Sequence, residues 1–223
     1  NLIDKFLMND FNSDIKNLIN KKSPTVFDIG CFNGNFSKKL KEKLNSSTKN
    51  FYLFDANPNL KLKEFKYFNM TFSDKIKILN FNLNTFLPSS GSSLKKIIKK
   101  DKMWNFSRKL FTFNINKSFV SLKVKTNTLD NFCKLNKIKK IDLLKIDVEG
   151  SELDVLKGGK NILKNVKIIQ LEILQSKNNF LKEKNKIVGL LNKYNLRIFS
   201  EKKIKSVTFL SNIVSEDILF VKK

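Results

Sequence analysis

The chain has no histidine. That absence removes every catalytic triad built on imidazole and every zinc site that needs a histidine ligand. A proton acceptor has to come from a carboxylate, a lysine, a tyrosine or a cysteine. Arginine is nearly as scarce, at Arg108 and Arg197 only, although Lys+Arg total 44 against 20 Asp+Glu and the formal charge is +24. Cysteine occurs at Cys31 and Cys133, far apart and in no CxxC pair. The reading is reduced thiols in a cytoplasmic protein rather than a disulfide framework. No apolar run reaches the ~18 residues of a membrane-crossing helix. The opening stretch, NLIDKFLMNDFNSDIKN, lacks the apolar centre of a signal peptide. It also lacks an initiator methionine, which points to a chain trimmed or drawn from a longer protein. Internal repeats and an interdomain linker are absent too, so 223 residues at 41% hydrophobic read as one domain over 1–223, with an N-terminal helical segment at 1–24.

A charge of this size invites a nucleic-acid reading. Specific recognition of phosphates and base edges draws on arginine forks, whereas here the charge is almost all lysine, in a chain crowded with Asn, Ile and Phe. Those are residues of A/T-rich codons, and genome composition is a sufficient source for them. Nucleic acid is therefore weighed as a partner and not favoured. A lysine-coated surface binds anions weakly whatever its origin.

What is present is a rhythm. TVFDIG (25–30) reads as a strand ending at glycine, and Phe36, Leu40 and Leu44 mark a helix face after it. FYLFDA (51–56) is a second strand, stopped at Asn57-Pro58. KYFNMTF (66–72) reads as a third, followed by the run KIKILNFN. IDLLKID (141–147) is a fourth, with a helix from Ser151, and KIIQLEIL (167–174) a fifth. Ile187, Leu190, Leu191 and Tyr194 repeat at helical spacing, and LRIF and DILFV close the chain as strands. Such alternation predicts an α/β fold with an open, mostly parallel sheet covered on both faces. Residues 86–125 break the pattern. A Pro-Ser-Gly-Ser stretch leads into a lysine-rich run around Trp104, which reads as a basic insertion or lid.

In such a sheet, ligands bind beyond the carboxyl ends of the strands. After the first strand stand Asp28, Gly30, Cys31, Asn33 and Gly34; after the second, Asp55, Ala56 and Asn57; after the third, Ser73 and Asp74. The glycines let backbone approach closely, and an acid about 20 residues beyond them typically accepts hydrogen bonds from a ribose. Ser73-Asp74 is a candidate for an adenine amino group and equally a turn. Together these describe a nucleoside site. A dinucleotide wants G-x-G-x-x-G, and the fingerprint fails at Phe32. Asp28 suits the cationic amino-acid end of S-adenosylmethionine better than a pyrophosphate.

The most acidic passage, IDLLKIDVEGSELDVLKGG (141–159), resembles the signature of the FkbM-type methyltransferases, a branch of the Rossmann-like S-adenosylmethionine enzymes. VFDIGCFNGNFSKKL resembles that family's first cofactor motif, with Cys31 where a small alanine is common. FYLFDANPNL resembles the second, with Asp55 where glutamate is more usual, and TFSDK the third. VKTNTLDNF resembles the segment before the fourth strand, and IIQLEIL and DILFVKK fit as well, so the resemblance runs from about residue 25 to the end. It implies a Rossmann-like sheet with an antiparallel C-terminal strand. It also implies O-methylation of a sugar or another hydroxyl-bearing metabolite. An RNA methyltransferase, a non-catalytic nucleoside- or anion-binding module and an NAD-linked enzyme stay open as alternatives. Oligomeric state is not legible.

Along the fourth strand Lys145, Asp147 and Glu149 alternate to one side. Asp147, at the strand end, is the first choice for a general base or cofactor-amine contact, with Glu149 second. Lys145 inside a central strand must be paired, and Glu172 in KIIQLEIL is the expected partner. A magnesium ion on Asp147, Glu149 and Glu172 is a lesser alternative, since oxygen ligands suit it; a metal-free mechanism is preferred. Ser151 with Asp154 resembles a capping box, and Glu152 in the first helical turn reads as dipole compensation.

Overall fold

The computed structural model describes residues 11–84, 92–95, 119–202, 205–206 and 211–223. In chain order the strands are β1 (Val26–Ile29), β2 (Phe51–Asp55), β3 (Lys66–Asn69), β4 (Thr71–Phe72), β5 (Ile78–Asn84), β6 (Phe119–Asn127), β7 (Ile141–Ile146), β8 (Val166–Ser176), β9 (Leu196–Glu201), β10 (Lys205–Ser206) and β11 (Ile213–Lys222). The helices are α1 (Asn12–Leu18), α2 (Asn35–Leu44), α3 (Leu129–Leu135), α4 (Glu152–Lys157) and α5 (Lys177–Asn192). Eight strands form the main sheet in the order β10-β11-β8-β7-β1-β2-β3, with β9 also on β11. β8, β7, β1, β2 and β3 run parallel, and β11 is antiparallel to β8.

β1 and β7 are buried at every position, as central strands must be when helices cover both faces, and the charged residues within them, Asp28, Asp142 and Lys145, are buried as well. Neighbouring residues of one strand serve different cores, as period-2 geometry requires. Val26, Leu143 and Ile168 pack beneath α1 and α2 with Phe11, Ile15, Phe36 and Leu40. Phe27, Leu144 and Ile169 pack with Phe132, Leu156, Ile187 and Leu191 of α3, α4 and α5. The strand order reverses between β1 and β7, which makes that point the natural place for a ligand cleft.

Two expectations need correction. KYFNMTF is not one strand. The chain breaks at Met70, so that β3 completes the main sheet on β2 while β4 joins a second sheet of order β4-β6-β5. The basic insertion is also shorter than 86–125. Phe119–Asn127 is a strand, in antiparallel register with β5 from Asn84↔Phe119 to Ile78↔Lys125. Its lysines, Lys123 and Lys125, occupy alternate positions and are exposed, so a solvated strand face reads in sequence as a charged loop. The run around Trp104 lies outside the described residues, as do residues 1–10 of the N-terminal segment. Among the described residues no helix is long and apolar enough to cross a membrane.

Candidate active site

β1, β2 and β7 end level with one another, with Ile29 opposite both Phe54 and Ile146. Beyond those ends opens a cleft of about 300 Å³. Residues 30–33, 55–57 and 147–149 line it, Glu172 adds a further wall, and Met70, Thr71, Phe81 and residues 92–94 close the far side.

Gly30 sits at the seam. Its φ is +78°, and a Cβ there would run into the carbonyl oxygen of Asp147. Only glycine lets the ends of β1 and β7 meet so closely. The close approach in the structure is between the two strand ends, and Gly30 also lines the cleft. From there the chain turns through Phe32, at φ +45°, whose N–H donates to Asp55 Oδ2 at 2.9 Å. The Asn57 N–H donates to Oδ1 of the same carboxylate at 2.8 Å. One bond on each oxygen fixes the Asp55 carboxylate and leaves it capacity for further donors. Burial raises its pKa, against the pull of those two N–H bonds.

On the other side Lys145 is buried, with its Nζ 3.1 Å from Asp147 Oδ2, 3.4 Å from Asp28 Oδ1 and 5.3 Å from the centre of the Phe36 ring. Burial alone lowers the pKa of this ammonium, but Asp147 and Asp28 outweigh it and raise the value above that of an ordinary lysine. The two carboxylates thus favour the charged form of Lys145. Its ion pairs are with Asp28 and Asp147, so the expected Lys145–Glu172 pair does not form. The reason is register: Lys145 lies beside Asp28 on β1 and beside Gln170, not Glu172, on β8. Glu172 has its pKa raised well above the ordinary value by Asp147, by burial, and by Glu149 and Asp217, with Lys145 opposing.

The cleft wall unites Gly30, Cys31, Asn33, Asp55, Ala56, Asn57, Lys145, Asp147 and Glu149. Burial also pushes the Cys31 thiol up, so it stays protonated. Asp28, Gly34, Ser73 and Asp74 are not on the wall. Asp28 is wholly buried beneath it, accepting from Ser37 Oγ at 2.7 Å. Gly34 starts α2 at φ +73° and packs against Leu62 and Leu53. Ser73 is buried and donates to Asp74, and Asp74 also takes Lys77 Nζ at 2.7 Å. The break at Met70 carries that pair past the cleft and leaves Met70 and Thr71 in the place expected of it. The sequence reading missed the far wall, Phe81 and residues 92–94. Phe81 was visible as one of the alternating apolar residues of KIKILNFN, while the serines read only as loop.

The helix after β7 starts differently from expectation. Ser151 forms no side-chain cap, and its Oγ is buried without a partner. Glu152 is only 1% exposed; its Oε1 accepts from the Gly150 N–H at 2.7 Å, and burial pushes its pKa up to about 8. Asp154 is half-exposed and lies 3.4 Å from Lys95. Among the described residues no three His, Cys, Asp or Glu side chains are grouped to hold a metal ion, so the magnesium alternative has no support.

Comparison with known proteins gives a family match over most of the chain. Residues 28–198 match the Methyltransferase FkbM domain. Over 174 residues the chain is 25% identical to the 2-O-methyltransferase NoeI of Sinorhizobium fredii strain NGR234, an alignment covering 71% of this chain and 66% of that protein. The crystal structure of Methyltransferase FkbM from Methylobacillus flagellatus KT aligns with a TM-score of 0.50 at 11% identity, over 88% of this chain and 44% of that one. The structure of M. capricolum TrmK in complex with S-adenosyl-homocysteine gives a TM-score of 0.47 at 14% identity, over 97% and 70%. The chain thus spans just under two thirds of the length of NoeI and less than half of the solved FkbM chain. With the domain match running from the end of β1 into β9, this chain belongs to the FkbM methyltransferase family.

Proposed function

We propose that the chain is an S-adenosylmethionine-dependent O-methyltransferase acting on a hydroxyl of a sugar or other small metabolite. The observation that carries this reading is the pairing of two carboxylate stations across one cleft: Asp55 at the end of β2, and Asp147 and Glu149 after β7 with Glu172 of β8 level with them. The donor set fits that cofactor. Asp55, with one backbone bond on each oxygen, has lone pairs to spare for the two hydroxyls of a ribose. Ile29, Phe54 and Met70 offer an apolar flank to a purine. The acidic wall attracts a sulfonium and an ammonium, and it repels the pyrophosphate of NAD.

When bound, S-adenosylmethionine supplies a methyl group already activated on sulfur. The chain has to add alignment, exclusion of water and a destination for the hydroxyl proton. Lys145 Nζ engages Oδ2 of Asp147, which orients the carboxylate and leaves Oδ1 to accept that proton. Glu149 is the alternative acceptor on the same wall. The activity in NoeI's name, 2-O-methyltransferase, supports oxygen as the methylated atom.

Titration calorimetry with S-adenosylmethionine, S-adenosylhomocysteine and NAD tests the cofactor reading; the first two should bind and NAD should not. Labelled methyl transfer to a panel of neutral oligosaccharides and to tRNA then tests the acceptor. Salt-resistant incorporation into tRNA alone would move the reading to an RNA enzyme, since binding driven by lysine charge falls steeply with salt. Failure to bind either sulfur cofactor would end the proposal.

A further inference from the structure

The turn that carries the acidic wall is strained, and it is gripped from two sides. After β7 the backbone passes through φ +55° at Glu149 and +99° at Gly150. A residue with a side chain keeps such a conformation only when its surroundings enforce it. On one side Ser93 Oγ lies 2.7 Å from the carbonyl oxygen of Glu149 and 3.3 Å from that of Val148, positioned to donate to either. On the other, Glu152 Oε1 accepts the Gly150 N–H at 2.7 Å. Both side chains are buried, at 4% and 1% exposure.

Ser93 is itself fastened to the second sheet. Its N–H and C=O exchange bonds of 3.1 and 2.8 Å with the backbone of Asn82 on β5. Ser92 Oγ accepts the Asn84 N–H at 2.9 Å, and Lys95 reaches Asp154 on α4. Residues 92–94 and residues 147–149 both line the one cleft, so one buried hydroxyl joins the part of the wall next to the second sheet to the part that bears the carboxylates.

We propose that Ser93 and Glu152 are positioning residues for methyl transfer. They hold the turn after Val148 in its left-handed form, keep Glu149 and Asp147 on the cleft wall, and tie that wall to the adjoining segment at residues 92–94. An acceptor leaning on Phe81 or residues 92–94 is thereby felt at the carboxylates. The catalytic meaning of this grip rests on the methyltransferase reading of the cleft; its existence does not.

Amide hydrogen exchange on the full chain reads the turn without an acceptor. In Ser93→Ala the Gly150 amide should exchange about 10-fold faster or more while β1 and β7 keep their protection, because local opening is separable from global unfolding. Ser93→Thr keeps the hydroxyl and should restore protection. Glu152→Ala should loosen the same amide, and Glu152→Gln, which keeps an acceptor oxygen, should not. Unchanged exchange at Gly150 in Ser93→Ala, or equal acceleration across the whole sheet, overturns the grip.

The second readout is functional. Affinity for S-adenosylhomocysteine in Ser93→Ala should stay within about twofold, because the Asp55 side is untouched. Transfer to the acceptor found in the screen should lose about 10-fold in kcat, the usual consequence of misplacing reacting groups. A loosened turn with kcat unmoved overturns the positioning role. Parent protein that binds no S-adenosylhomocysteine sinks the cofactor reading, and with it the catalytic meaning, while the exchange result still decides whether the grip exists.

Discussion

Lys145 Nζ lies 3.1 Å from Asp147 Oδ2 and reaches from there to Asp28, which has no exposed surface at all. One cation thus serves a carboxylate on the cleft wall and another sealed beneath it. Removing the cation strands Asp28, and breaking a buried pair by deleting one partner typically costs about 3–5 kcal/mol. Lys145→Met should lower stability on that scale in urea titration. Adding Asp28→Asn should return a substantial part, since the stranded charge is then gone. A Lys145→Met protein as stable as the parent would mean that Asp28 is compensated elsewhere.

Asp147 itself is partly exposed, so Asp147→Asn should fold normally and bind cofactor. Loss of a general base typically lowers rate by ~10²–10⁴-fold, and single-turnover transfer is the measurement. If Asp147→Asn keeps the parent rate while Glu149→Gln is inactive, the base lies two residues further along. Full rate in both would leave alignment alone to carry catalysis.

At the other station, Asp55→Ala should weaken S-adenosylhomocysteine binding by about 1–3 kcal/mol, the scale of a lost buried acceptor. The substitution also frees the Phe32 and Asn57 amides that the carboxylate holds. Asp55→Asn, which keeps one acceptor oxygen, should therefore fall between parent and alanine. Calorimetry with equal affinity in all three would take Asp55 out of the site.

The parts of this fold that sequence made legible are those where one physical preference dominates. VFDI and IDLLKI are mostly apolar short runs bounded by polar turns, and both are central strands. Gly30 and Asp55 sit at the offset where a strand-end ligand needs them. The failures occur where two preferences compete. No glycine or proline marks the break at Met70, so the chain's change of sheet left no local sign. In β6 the lysines follow the exposed face of a strand, and their charge masked its alternation. Lys145 was legible as a buried cation, but its partner depends on register between strands, which no local pattern specifies.

Glu152 shows the same limit, and it yields a test of pH dependence. A glutamate in a first helical turn reads as surface charge, and its replacement by glutamine would ordinarily change stability by a few tenths of a kcal/mol. Here the carboxyl is buried, and its pKa is pushed from 4.5 up to about 8. In the unfolded chain the group ionises near its ordinary value. Between pH 4.5 and about 8 the folded protein therefore holds a proton that the unfolded chain has released. Stability from this group is full below the lower value and is lost as pH rises through the upper one, because the native state binds more protons. Asp55 and Glu172 are raised as well, so the parent alone would not isolate the effect. Glu152→Gln should, because it mimics the neutral form and leaves the others in place. The urea midpoint of the parent should fall more steeply than that of Glu152→Gln across this window, and the variant should gain on the parent as pH rises. Parallel slopes would mean that Glu152 ionises as an ordinary glutamate and that water or a shifted Lys95 reaches it.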